Sequence, residues 1–248
     1  MPLPAKAFQL WLHGVAPNES TADICRISGI KRTTLAQQLV RGKVAETTLV
    51  SISRALKRSP LDDLASFDSY AELAGPPRPP TPAELVSQIA TMDLLRAVIS
   101  RSSPAYGGFG DEGSSLTPAL GPAPHATSVR NWVDSIDDGE LRHRVSAATG
   151  VAPQNYSAQL TANRLSPELA VATARAAGVG FTGGLVATGL ITEAEAGWPA
   201  RARQAALNGL SDGDLTALAG ERLQSLGKTL RRQEHEHEQT KKIWENLG

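Results

Sequence analysis

Apolar residues recur along this chain at spacings of three and four, between short polar or proline-glycine breaks, and almost nowhere in strict alternation. That period predicts amphipathic helices. Phe8, Trp11 and Leu12 mark the inward face of a first helix, broken at Pro17-Asn18. Ser20 is an N-cap candidate with Asp23 three residues on, a capping box with Asp for the usual Glu. Ile24 and Ile27 point inward from the short helix that follows, Gly29 ends it, and Ile30 plugs the turn. Leu35 and Leu39 mark the next helix. Val44, Leu49, Ile52 and Leu56 run into another, and Leu61, Leu64 and Phe67 add a last one. Gly75-Pro76-Pro77-Arg78-Pro79-Pro80 reads as a stiff linker. Residues 82–101 read as one helix with Pro82 in its first turn and Leu85, Ile89, Met92, Leu95 or Val98, and Ile99 as its stripe. Residues 102–127, rich in Ser, Gly and Pro, read as a flexible linker. Further on, Gly178, Gly180, Gly183 and Gly184 loosen the pattern. Residues 210–245 read as a long terminal helix with Asp212 and Asp214 near its positive end. Leu215, Leu218, Leu223, Leu226 and Leu230 give it a partial stripe. A polar run from Arg231 to Glu238 follows, and Ile243 and Trp244 close it.

The same unit of about fifty residues occurs twice, 121 positions apart and without a gap. Trp11 matches Trp132, Glu19 matches Glu140, Ile24 matches Val145 and Gly29 matches Gly150. Ile30 then matches Val151, Gln38 Gln159, Leu39 Leu160, Val50 Val171, Arg54 Arg175 and Ala55 Ala176. The matches fall on an aromatic, a glycine and apolar positions, where a fold constrains residue type. The expected fold class is therefore all-α. Two small helix-turn-helix bundles are joined by a helix and flexible linkers, with a long C-terminal helix. The expected boundaries are 1–75, a linking region 76–127, 128–208, and a terminal helix 209–248.

Composition narrows the picture. With 248 residues there is room for about two domains. Aromatics are only 4%, so the cores must be built from Ala, Leu, Val and Ile, which suits helical bundles. Twenty-five basic and twenty-five acidic residues cancel, which argues against a purely electrostatic coat on nucleic acid but leaves room for a local basic face. The single Cys25 removes a disulfide framework or cysteine zinc cluster and reads as a small buried apolar residue. His235 and His237 are two apart and do not share a helix face, so no metal is expected. Nothing resembles a phosphate loop or a nucleophile elbow, and no cofactor or enzymatic activity is expected. No apolar run is long enough to span a bilayer and no signal peptide is evident, which predicts a cytoplasmic protein with no membrane partner.

Residues 20–43, STADICRISGIKRTTLAQQLVRGK, combine a short helix, a tight turn at Gly29-Ile30 and a second helix rich in polar residues. The apolar residues Ile24, Ile27, Ile30, Leu35 and Leu39 would lock two helices at a steep angle and free the start of the second for a major groove. Charge points the same way. Eight basic residues face a single Glu46 between Arg26 and Arg58, and four face Glu168 between Arg142 and Arg175. The first unit is therefore the stronger candidate.

Ser28 to Leu35, Arg41-Gly42-Lys43 and the helix Thr48–Leu56 resemble the Cro/repressor-like (XRE-type) helix-turn-helix family. The resemblance covers about residues 8–66 and, less closely, 129–190, where Thr149 to Tyr156 and Ala162-Asn163-Arg164 correspond. It implies a sequence-specific regulator of phage immunity or a related prophage type, whose partner is a double-stranded DNA operator. By this resemblance Lys31, Arg32, Thr33, Thr34, Gln37, Gln38 and Arg41 face the bases, followed by Lys43. In the second unit Gln154, Asn155, Gln159, Asn163 and Arg164 do so. Arg and Lys suit guanine, Gln and Asn adenine, and Thr a thymine methyl. Lys43, Arg54, Lys57 and Arg58 are expected at phosphates, which position rather than specify. A homodimer through the terminal helix, with Leu223, Leu226 and Leu230 in its seam, is an alternative assembly. A protein-binding adaptor built on the same bundle is the alternative function.

Overall fold

The computed structural model describes residues 2–102 and 119–247, with side chains described as far as 241. Of the described residues 67% are helical, and a single two-strand ladder is found among them. It is an all-α fold with a long C-terminal helix. The first repeat contains α1 (Ala5–Val15), α2 (Thr21–Ser28), α3 (Arg32–Val40), α4 (Glu46–Ala55) and α5 (Pro60–Ala65), then a 3-10 turn over Asp68–Leu73. Next come α6 (Pro82–Ser87) and α7 (Thr91–Ser102). The second repeat contains α8 (Ser128–Ile136), α9 (Leu141–Thr149), α10 (Pro153–Thr161), α11 (Pro167–Ala177) and α12 (Thr182–Ala187). The chain closes with α13 (Ala202–Asn208) and α14 (Asp212–Leu247).

Local chemistry explains most of these boundaries. The Ser20 hydroxyl accepts the Asp23 amide, and Gly29 ends α2 at φ 71°, a left-handed conformation that suits glycine. Gly150 ends α9 at the same φ. The left-handed positions coincide across the repeat: Gly42 with Asn163, and Lys57 with Gly178. Phe8, Ile24, Leu35, Leu49, Ile52, Leu64 and Tyr70 fill the first core with at most 1% exposure. Burying such a side chain contributes about 1.5–3 kcal/mol. The second core gathers Trp132, Val133, Leu141, Val145, Tyr156, Leu160 and Ala170.

The repeat reaches further in the structure than in the sequence pattern. Adding 121 to α6 and α7 gives 203–208 and 212–223, where α13 and the first turns of α14 lie. Asp93, Leu94 and Arg101 thereby match Asp214, Leu215 and Arg222.

Several expectations change. Ile27 is 44% exposed, because the inward face of α2 is taken by Ile24 and Cys25. Residues 82–101 form two helices. Thr81 and Glu84 close a capping box on α6, which stops at Gln88, whose carbonyl accepts from Arg203. Leu94, outside the expected stripe, is the apolar residue that α7 buries, beside Asp93, while Met92 and Ile99 are more than half exposed. Of the linker read over 102–127, residues 103–118 lie outside the described part. His125 beyond them is tied to the Ser87 carbonyl at 3.1 Å. The glycines at 183 and 184 tighten the second repeat. A Cβ on Gly184 would stand 2.6 Å from the Trp132 ring and 2.9 Å from Ala170 Cβ. The ladder pairing Leu3 with Val44 and Pro4 with Lys43 follows from no alternation in the sequence. Ile243 and Trp244 lie beyond the described side chains.

Residues 1–88 and 122–203, and therefore both repeats, form one compact unit. Residues 89–121 and 204–248 form the other. In that second unit α7 packs against α14 around Ile89, Leu94, Leu207, Leu215 and Ala219.

Candidate nucleic-acid interface

Leu35, with no exposure, seats α3 on the first core and turns its polar residues outward. Lys31, Arg32, Thr33, Thr34, Gln37 and Arg41 are all exposed, and Lys43 is exposed on the adjoining strand. No acidic residue and no side-chain cap occupies the first turn of α3. Its unsatisfied amides and two cations therefore form one positive end.

Gln38 differs from its neighbours. Its Oε1 accepts the Ala45 amide at 3.2 Å and the Thr48 hydroxyl at 3.0 Å, which fixes the start of α4 against α3. The base-reading role expected of Gln38 thus competes with a structural one. On the second repeat, Gln154 and Asn155 are exposed at the start of α10, Gln159 is half-buried and Arg164 is exposed. Asn163 also turns inward. Its Oδ1 accepts from Val129 N at 2.9 Å and Arg130 N at 3.4 Å, capping α8 from outside the helix. Where the first repeat uses Gly42, whose carbonyl accepts from Ala5 N at 3.0 Å, the second uses a side chain.

Ion pairs sort the cations. Arg26 is held by Asp23 and Arg58 by Asp63, a carboxylate buried to 2% exposure that also takes the Trp11 indole N–H. Arg54 is held by Glu195. The phosphate contacts expected of Arg54 and Arg58 therefore have carboxylate competitors. On the second repeat Arg142 faces Asp134 and Asp137, Arg144 faces Asp138, and Arg175 is paired with Glu72. Among the described residues Lys31, Arg32, Arg41 and Lys43 make no ion pair, and between Arg130 and Arg175 on the second repeat Arg164 is the arginine in that position. The inequality between the units is thus larger than the raw charge count.

Buried polar groups hold each helix pair rigid. The Tyr70 hydroxyl donates to Glu46 at 2.7 Å, and burial with that carboxylate pushes its pKa up. Tyr156 shares a 3.0 Å hydrogen bond with Thr173, and burial raises its pKa too. The Trp132 indole N–H donates to Glu84 at 3.1 Å, tying α6 to the second repeat. No sequence signal marks that last contact, since the partners are 48 residues apart.

Among the described residues no cluster of His, Cys, Asp or Glu is suited to a metal, and no helix is long and apolar enough to cross a membrane. No family model, curated protein or solved structure matches the chain, so the reading of this surface rests on its own residues.

Proposed function

We propose that this chain is a sequence-specific double-stranded DNA-binding repressor that uses α3 and α10 as unequal readers of one operator. The observation that carries the reading is the exposed face of α3, where cations without carboxylate partners surround Thr33, Thr34 and Gln37 at an uncapped helix start. On this reading Arg32 pairs with guanine and Gln37 with adenine, while Lys43 contacts the backbone. The α10 face, with Gln154, Asn155 and Arg164, supplies fewer charges and a different base preference. Because both readers belong to one compact unit, their spacing is set by packing rather than by a loose tether. Occupancy would occlude polymerase, and the resemblance to phage immunity repressors makes a prophage promoter the natural target. The test is selection of bound duplexes from a random library with the wild-type chain and with Arg32→Ala. A bipartite motif that loses one half in the variant supports the reading. Absence of enrichment at moderate salt removes it and leaves the protein-binding adaptor.

Leu223, Leu226 and Leu230 are 40–47% exposed on α14 and favour a second mode of assembly, in which two chains pair through this helix. Light scattering across a concentration series decides it: a mass that doubles with concentration and reverts in Leu226→Lys supports the pair.

A further inference from the structure

Arg54 and Arg175 are equivalent positions, 121 apart, and each lies in the last turn of the fourth helix of its repeat. Each forms a two-pronged ion pair with a carboxylate from the other repeat. Arg54 donates to both Glu195 oxygens at 2.7 Å, and Arg175 donates to both oxygens of Glu72. The residue at the 121 offset from Glu72 is Glu193, which pairs with Arg203, and Glu195 lies two positions beyond it, so the two glutamates that take these arginines occupy neighbouring rather than identical positions of the repeat. Both sit in the segment after the fifth helix, 123 rather than 121 positions apart. The arginine patch of the first repeat therefore meets the glutamate patch of the second, and the reverse contact is made as well.

Reciprocity of this kind is the mark of an isologous interface, which a two-fold rotation generates. A head-to-tail arrangement would use each patch once and leave one arginine and one glutamate facing outward. Near a two-fold axis, equivalent segments meet each other, and this is seen here. A Cβ on Gly197 would lie 2.9 Å from Pro77 Cγ, and Gly197 is the equivalent of Pro76. The second compact unit follows the same rule within itself. Equivalent residues Leu94 and Leu215 lie in one core as α7 packs on α14.

We propose that the two repeats are related by an internal two-fold axis, so that α3 and α10 meet DNA with opposite polarity and the operator is an inverted pair of unlike half-sites. This rests on the DNA-binding reading above. Because the two helices carry different residues, the inversion leaves no palindrome in the operator sequence. It becomes visible when the two readers are made alike.

The experiment grafts the exposed face of α3 onto α10 in the full chain: Ala152→Lys, Pro153→Arg, Gln154→Thr, Asn155→Thr, Ala158→Gln and Ala162→Arg. Bound duplexes are selected with the wild type and the graft side by side, and folding is followed by circular dichroism. The expected result is a bipartite motif for the wild type and, for the graft, an inverted repeat of the half that Arg32→Ala abolishes. Affinity for the inverted pair should exceed that for the direct pair on the order of a hundredfold, since a reversed half-site presents several mismatches. A direct repeat overturns the axis. A graft that still selects one half-site overturns it too, because α10 then does not face DNA. If the wild type enriches nothing, the DNA-binding reading itself falls and takes this inference with it. Should the graft unfold, the reverse graft on α3, with Lys31→Ala, Thr33→Gln, Thr34→Asn, Gln37→Ala and Arg41→Ala, gives the same decision from the α10 half-site.

Discussion

At the level of single residues, two side chains on the candidate surface have tasks that can be separated by measurement. Arg32 is exposed and free of carboxylates, so Arg32→Ala should leave the melting temperature unchanged while weakening DNA binding about tenfold or more, the usual cost of one lost base contact. Gln38 accepts two hydrogen bonds from the start of α4, so Gln38→Ala should cost about 1 kcal/mol of stability as well as any loss on DNA. Parallel urea melts and binding titrations of the two variants give the comparison. Equal stability loss in both would mean that Arg32 is a packing residue. Asn163 makes a third case. Its side chain caps α8 and its backbone stands at φ 50°, so Asn163→Ala loses the cap and strains the turn. About 1–2 kcal/mol of destabilisation is expected, with Asn163→Gly milder because glycine accepts that φ. An alanine variant more stable than the glycine variant would contradict the assignment.

Helices carry the next layer of the argument. In α12, Gly183 and Gly184 let the Trp132 ring lie directly on the helix, with Glu84 closing over the indole nitrogen. Gly184→Ala should therefore destabilise the protein by about 1–3 kcal/mol through overpacking, against the usual gain from replacing a helix glycine. A thermal melt of that variant beside Gly220→Ala, where a Cβ meets nothing, isolates the effect. A stabilised Gly184→Ala would show that the ring has room. In the sequence these glycines read as loosening the stretch, because a sequence does not say what stands opposite a missing Cβ. What was legible was periodic or local: the helices of both repeats, the Ser20 cap, the turn at Gly29 and the exposed polar face of α3. What was not legible depends on chain segments far apart in sequence. The break between α6 and α7 follows from Arg203 reaching the Gln88 carbonyl, and the inward turn of Asn163 follows from the position of α8. Arg58 and Asp63 are only five positions apart, but burial of Asp63 depends on Trp11, 52 positions away.

For the molecule as a whole, the reciprocal ion pairs are the feature most exposed to pH. The Arg54 guanidinium, with help from the Thr192 amide, holds the Glu195 carboxyl down at about 2, against an ordinary value of 4.5. A carboxylate whose pKa is lowered on folding stabilises the folded state fully above its unfolded value. That contribution fades as pH falls toward the folded value. The pair should thus be intact at neutral pH, begin to lose its contribution below about pH 5, and have lost most of it near pH 2. Arg54→Ala removes the partner and with it the depression. The melting temperature of the variant should lie below that of the wild type at pH 7, and the gap should narrow steadily between about pH 5 and pH 2. Because Arg54 is 43% exposed, the gap at neutral pH should be small, within the modest range of partly solvated pairs, and smaller in high salt. Its shape against pH is the diagnostic quantity. A gap that stays constant down to pH 2 would mean that Arg54 acts through its aliphatic stem, and the reciprocal pairs would then be a consequence of how the repeats pack rather than one of its causes.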